Sequence, residues 1–172
     1  MLNLAAIALA ATVTAGAGEA EAAPTKMQLT FQEYGDFLVG GTWVRQLEDG
    51  EEGPLKEDTW RWAIEGRCLQ LISRADGEIR FVLLVAIDPE IDMGNWAIFG
   101  ATGQMTVGMS AIEKVADGAW RRSVSRKLPE PGGEHTDLTT KVNDNELRFE
   151  GKRVAVDGEE SEWGPVTYLR KK

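Results

Sequence analysis

The chain is poor in the two residues that most often carry chemistry. It has one histidine, His135, and one cysteine, Cys68, in 172 residues. A single cysteine excludes an intramolecular disulfide, so the fold has to be held by its own core. A single histidine excludes a His pair for a metal, and a Ser-His-Asp or Cys-His arrangement would have to recruit His135. That residue follows Pro131-Gly132-Gly133-Glu134, which reads as a flexible loop and holds a general base poorly. Gly-x-Ser-x-Gly is missing, as is a Gly-rich phosphate loop before a helix. The run Asp88-Pro89-Glu90-Ile91-Asp92-Met93-Gly94 fails as a calcium loop. Its glycine comes one position late and position 12 is Phe99, where a bidentate Glu is needed.

Positive charge is also scarce. Lys and Arg number 19 against 28 Asp and Glu, for a net charge of −9 and a pI near 4.7. A chain this acidic repels phosphate backbones, which argues against nucleic acid as a partner. Long apolar runs are confined to Leu2–Ala15, which carries no charge. That run is too short and Ala-rich to span a bilayer as a stable helix. Small residues at Ala15-Gly16-Ala17 and Ala20-Glu21-Ala22 make residues 1–23 read as a signal peptide. Met1-Leu2-Asn3 brings no basic residue to it, and a buried N-terminal helix is the alternative. The expectation is export, to the periplasm or beyond, of a single domain over 24–172. No other segment is long enough to cross a membrane. The oligomeric state is not legible.

What the chain has is turns. Asp49-Gly50, Asp76-Gly77, Asp117-Gly118 and Asp157-Gly158 are four Asp-Gly pairs, the strongest short-range hairpin signal. Glu65-Gly66, Asp88-Pro89, Ala101-Thr102-Gly103 and Asn143-Asp144-Asn145 fill the gaps. Between them lie ten strand candidates: 41–47, 55–64, 67–74, 78–87, 95–100, 104–114, 119–127, 136–143, 146–156 and 162–170. Their side chains alternate with period 2. Trp60, Trp62 and Ile64 share a face with Asp58; Met105, Val107 and Met109 oppose Thr106, Gly108 and Ser110; Trp120, Arg122, Val124 and Arg126 oppose Arg121, Ser123 and Ser125. The 78–87 strand carries Phe81, Leu83 and Val85 on one face and Val82, Leu84 and Ala86 on the other, so it reads as buried on both sides. Before the first strand, Phe31, Tyr34 and Leu38 lie on one face of a short helix that Gly40-Gly41 stops. Ten short strands at hairpin spacing predict an all-β, antiparallel up-and-down barrel, closed to remove its edges. Trp43 plugs one end of it, with the helix as lid.

Charge on the apolar-looking faces is the most informative feature. If those faces point inward, Asp58, Arg122 and Arg126 project among Trp60, Trp62, Met105 and Met109. That is a recipe for a small-molecule pocket, because unpaired buried charge is costly to keep otherwise. The alternative is that the arginines reach the rim or pair with acids while the indoles only fill the core.

Phe37-Leu38-Val39-Gly40-Gly41-Thr42-Trp43, Trp60-Arg61-Trp62 with Glu65-Gly66-Arg67, and Asp88-Pro89 with Gly94-Asn95-Trp96 together resemble uncharacterised bacterial lipocalin-like domains of the calycin superfamily. The likeness covers about 37–100; the Gly40-Gly41 doublet departs from it. It implies a barrel of eight to ten strands with one mouth, and names no ligand. The related nitrobindin-like barrels hold haem through a histidine near the chain's end. Here His135 would have to serve, and nothing around it resembles that site, so neither haem nor another cofactor is expected. The reading that results is an exported binding barrel for a small, partly apolar ligand, with Arg122 or Arg126 orienting an anionic group. A small isomerase- or hydratase-type enzyme using Asp58 as base, and a packed envelope accessory domain, are the alternatives.

Overall fold

The computed structural model describes residues 23–47, 54–88, 90, 92–128 and 133–171. Among them are one helix and ten strands, in the order α1 (Lys26–Leu38), β1 (Thr42–Arg45), β2 (Lys56–Ile64), β3 (Cys68–Ala75), β4 (Glu78–Asp88), β5 (Met93–Gly100), β6 (Met105–Ala116), β7 (Ala119–Leu128), β8 (Glu134–Asn143), β9 (Glu146–Val154) and β10 (Glu160–Lys171). Each strand pairs antiparallel with its sequence neighbour, and β1 closes the barrel on β10 through Trp43↔Arg170 and Val44↔Leu169. This is the all-β, up-and-down barrel with a short N-terminal helix that the alternation and turn spacing predict. Expectations for residues 1–22, for the Asp49-Gly50 turn and for Pro129–Pro131 fall outside the described residues.

The turns are where the sequence puts them. Asp76 and Gly77 join β3 to β4 with φ of 50° and 83°, both in the left-handed region that a tight two-residue hairpin needs. The helix starts on a capping box: the Thr25 hydroxyl accepts from the Gln28 amide at 3.2 Å, and the Gln28 side chain accepts from the Thr25 amide at 2.7 Å. It buries Met27, Phe31, Tyr34 and Leu38 against the end of the barrel. Gly40, at φ 93°, turns the chain into β1.

The core is densest under this lid. Leu69 is 0% exposed, Trp43 1%, and Phe31 and Leu38 2% each. Trp43 Nε1 donates to the Leu38 carbonyl at 2.8 Å, and the Arg170 guanidinium lies 4.4 Å from the Trp43 ring centre. The buried indole is thus also hydrogen-bonded, as most buried polar atoms are. Lys114, from β6, clamps the lid from outside through Glu33 at 2.7 Å.

Three features depart from the simple alternation. In β6 the inner residues are Gly108, Ser110 and Ile112, whereas Met105 is 50% exposed and Met109 lies on the outer face. The cause is Trp96 of β5. Its indole lies across Gly108, where an added Cβ would stand 2.6 Å from the ring, and its Nε1 donates to the Met109 carbonyl at 3.1 Å. The large side chain comes from the neighbouring strand, so the inner face of β6 has to be small. In β4 the register slips between Ser73↔Phe81 and Arg74↔Ile79, leaving Arg80 as the extra residue of a bulge. Ile79 consequently turns out to solvent at 46% exposure, while Arg80 and Phe81 both border the interior. The outer residues of β4 are not covered either: Val82, Leu84 and Ala86 are half-buried at the barrel surface, and Leu84 and Ala86 share a shallow groove with Ala97, Val107 and Met109. The expectation that this strand is buried on both sides is therefore corrected.

Candidate functional site

The barrel interior holds a cavity of about 280 Å³. Its floor lies under the lid, formed by Tyr34 and Leu38 of α1 and Trp43 of β1. Its walls are apolar: Trp60, Leu71, Leu83, Ile98, Leu147 and Phe149. The strands set this up by alternation, with every second residue of β2, β3 and β9 pointing inward. Polar groups line it in two places.

The first place is the mouth, at the strand ends opposite the lid. Lys56 and Asp58 come from the start of β2, Ser73 from the end of β3, and Arg80 from the bulge in β4; Tyr168 of β10 completes the group. Burial raises the Asp58 carboxyl above its ordinary value, against a hydrogen bond from Ser73 and the nearby charges of Arg80 and Lys56. Burial, with the Asp58 carboxylate beside it, pushes the Tyr168 phenol up to about 12. Desolvation thus dominates at the mouth. The acid is more ready to hold a proton than a surface carboxylate, and the phenol stays a donor.

The second place is the floor, where Arg122 of β7 borders both the cavity and the space under α1. Its Nε and Nη2 bind Asp137 of β8 at 3.1 and 2.7 Å, and Asp137 is 1% exposed. Burial disfavours the Arg122 charge, but Asp137 outweighs that and raises its pKa. The two residues face each other directly across β7 and β8. The Tyr34 hydroxyl stands 3.4 Å from that of Thr139 in the same region. Burial raises the Tyr34 phenol as well, so it too is neutral.

Of the residues singled out by sequence, the structure brings Asp58, Trp60 and Arg122 to this one cavity. Trp62 lies on the same face of β2 but one step nearer the lid. It packs edge-on to Phe31 with ring centres 5.6 Å apart, fills the space above Gly35 and donates to Asp36 at 3.1 Å. It is a lid contact. Met105 and Met109 are outside, for the reason given by Trp96. Arg126 shares the face of Arg122 but does not border the cavity; its Nε is buried with no hydrogen-bond partner among the described residues. His135 is in β8 and not in a loop, half-buried, with Nε2 3.6 Å from Asp137 and its ring 6.0 Å from that of Trp163. Burial and the Arg122 charge lower its pKa.

Sequence reasoning missed Arg80, Tyr168, Ser73 and Thr139. Tyr168 could have been found from alternation in β10, and Asp137 as the acid opposite Arg122 across a hairpin. Arg80 could not, because the bulge changes its side. No group of three His, Cys, Asp or Glu side chains stands within metal-binding reach among the described residues. No helix among them is long and apolar enough to cross a membrane. No protein-family model matches the chain, and no curated protein matches it.

Proposed function

We propose that this chain is an exported binding barrel of the calycin type that holds a small, partly apolar molecule in its interior. The observation that carries the reading is the cavity itself. At about 280 Å³ it lies at the lower edge of the ~300–1,000 Å³ usual for small-molecule sites. Its aromatic and aliphatic walls, with few convergent polar groups, match such sites in composition. A packed accessory domain has no need of that space. Arg122 is committed to Asp137, so the cation facing a ligand's charged group is Arg80 rather than Arg122 or Arg126.

Native mass spectrometry of the protein purified from its own source, beside an absorbance scan, tests this. A co-purifying small mass is expected, without a Soret band. A bare mass, together with failure to take up a neutral fluorescent reporter, overturns it.

A second reading is an enzyme of isomerase or hydratase type with Asp58 as base, favoured by the raised pKa of that carboxyl in an aromatic cavity. Arg80 would then stabilise developing negative charge. Turnover on a bell-shaped pH profile, abolished in Asp58→Asn, would establish it.

A further inference from the structure

The outer wall of the barrel is not uniform. Leu71, Leu83 and Ile98 border the cavity, so their chain neighbours on β3, β4 and β5 point outward. Register then sets Ile72, Val82, Phe99 and Met105 side by side across β3 to β6. The next row is Gln70, Leu84, Ala97 and Val107, and a third runs from Cys68 through Ala86 and Asn95 to Met109. No side chain in these rows carries a formal charge, in a chain of which 27% is charged. Phe99 is 42% exposed and Met105 50%. The opposite wall is of another kind. Leu147 and Phe149 of β9 border the cavity, which turns Arg148 and Glu150 outward, and both are exposed.

Size and charge say what fits this face. Four strands about 4.8 Å apart and three rows about 6.8 Å apart make it roughly 20 by 20 Å, or about 400 Å². Set against its own copy it removes about 800 Å² of mostly apolar surface, close to the ~65% apolar share of a ~1,200 Å² interface, the smallest that is usually stable. The chain carries a net charge of −9, so two copies repel wherever their acids meet and approach most easily through an uncharged face. The groove along it is shallow and has one charged residue at its border, Lys127, too little to select an acidic partner. We infer that the β3–β6 face is the contact between two copies of this chain, packed sheet against sheet in a two-fold dimer. The inference does not depend on what the cavity holds.

The test is sedimentation velocity of the full chain across about 1–300 μM, in reductant so that no Cys68 disulfide joins the copies. A dimer that dissociates at roughly 1–100 μM is expected of so small an interface. It is expected to be tighter at about 0.5 M salt than at about 0.05 M, because screening weakens the repulsion between two acidic chains. Leu84→Glu, in the middle row, and Phe99→Glu, at an exposed position, are each expected to raise the dissociation constant about tenfold or more. Leu169→Glu, an exposed leucine of β10, is expected to leave it unchanged. Circular dichroism checks that each variant is folded, and Phe99→Glu carries the test if Leu84→Glu is not. A dimer that survives Phe99→Glu, is lost in Leu169→Glu or weakens in salt overturns the inference. So does a monomer at every concentration; if that monomer floats with phosphatidylcholine vesicles, the face belongs to a lipid surface instead.

Discussion

The two ends of the barrel are built from opposite materials. At the lidded end, Trp43, Phe31, Leu38 and Leu69 are at most 2% exposed, and the Trp43 and Trp62 indole N–H groups have acceptors in Leu38 and Asp36. At the mouth, Lys56, Asp58 and Arg80 sit on or beside the inner face, where desolvation already holds the Asp58 carboxyl above its ordinary value. One end spends its residues on burial, the other keeps groups whose charge depends on their surroundings. If that division is right, substitutions at the lid act on stability, and substitutions at the mouth act on pH response and binding.

The largest expected effect is at the lid. Trp43→Ala removes a buried indole, its hydrogen bond to Leu38 and its stacking on Arg170. A loss of about 3–5 kcal/mol is expected, read from the denaturant midpoint. A loss below about 1 kcal/mol would move the centre of stability elsewhere and erase the contrast.

On the floor just under the lid, Arg122→Leu leaves Asp137 buried without its partner. Unpaired buried charge of this kind costs on the order of 3 kcal/mol. The double variant Arg122→Leu/Asp137→Leu is expected to recover much of that loss, because an apolar pair needs no compensation. If the double variant is no more stable than the single one, the ion pair is not what sets the cost. Gly108→Ala is expected to cost about 1–3 kcal/mol, since its Cβ would stand 1.9 Å from the Ser125 backbone carbonyl oxygen of β7 and 2.6 Å from the Trp96 ring. The reporter of this loss is specific: near-ultraviolet circular dichroism of Trp96 should change with it. Unchanged spectra and full stability would mean that the β6–β7 backbone shifts at Ser125 without disturbing Trp96.

The same glycine explains how much of the molecule the sequence disclosed. Turn chemistry is local, so Asp76-Gly77, Asp117-Gly118 and Asp157-Gly158 marked hairpins without any knowledge of the fold. Alternation is local as well, and it placed Asp58, Trp60 and Arg122 on inner faces. It failed in β6, because which face of a strand turns inward depends on what its neighbours bring. Hydrophobicity favoured Met105 and Met109 as the inner face. The space was already taken by Trp96 from β5, and only a residue as small as Gly108 could lie beneath it. Trp163 over Gly151 and Trp62 over Gly35 repeat the device. A tryptophan one or two strands away from a glycine is the signal that would have corrected β6. Arg80 was out of reach altogether, because a bulge is set by the pairing of two strands and neither sequence alone marks it.

The smallest expected effect belongs to the mouth, and there its sign matters more than its size. Unfolded, the Asp58 carboxyl titrates at its ordinary value of 3.8; folded, burial raises it. Between those two values the folded chain keeps a proton that the unfolded chain has released, so this group lowers stability as pH rises through the window. Asp58→Asn removes the titration. The variant should match the parent at the acid end, where both side chains are neutral, and be the more stable of the two above the folded pKa. His135 acts in the opposite direction. Its folded pKa is lowered, so it costs stability as pH falls below 6.5, but it does so equally in both proteins and cancels in their difference. A difference curve that stays flat, or that favours the variant only in acid, would mean that Asp58 is as well solvated as a surface carboxylate. The mouth would then be no different in kind from the rest of the barrel's polar exterior.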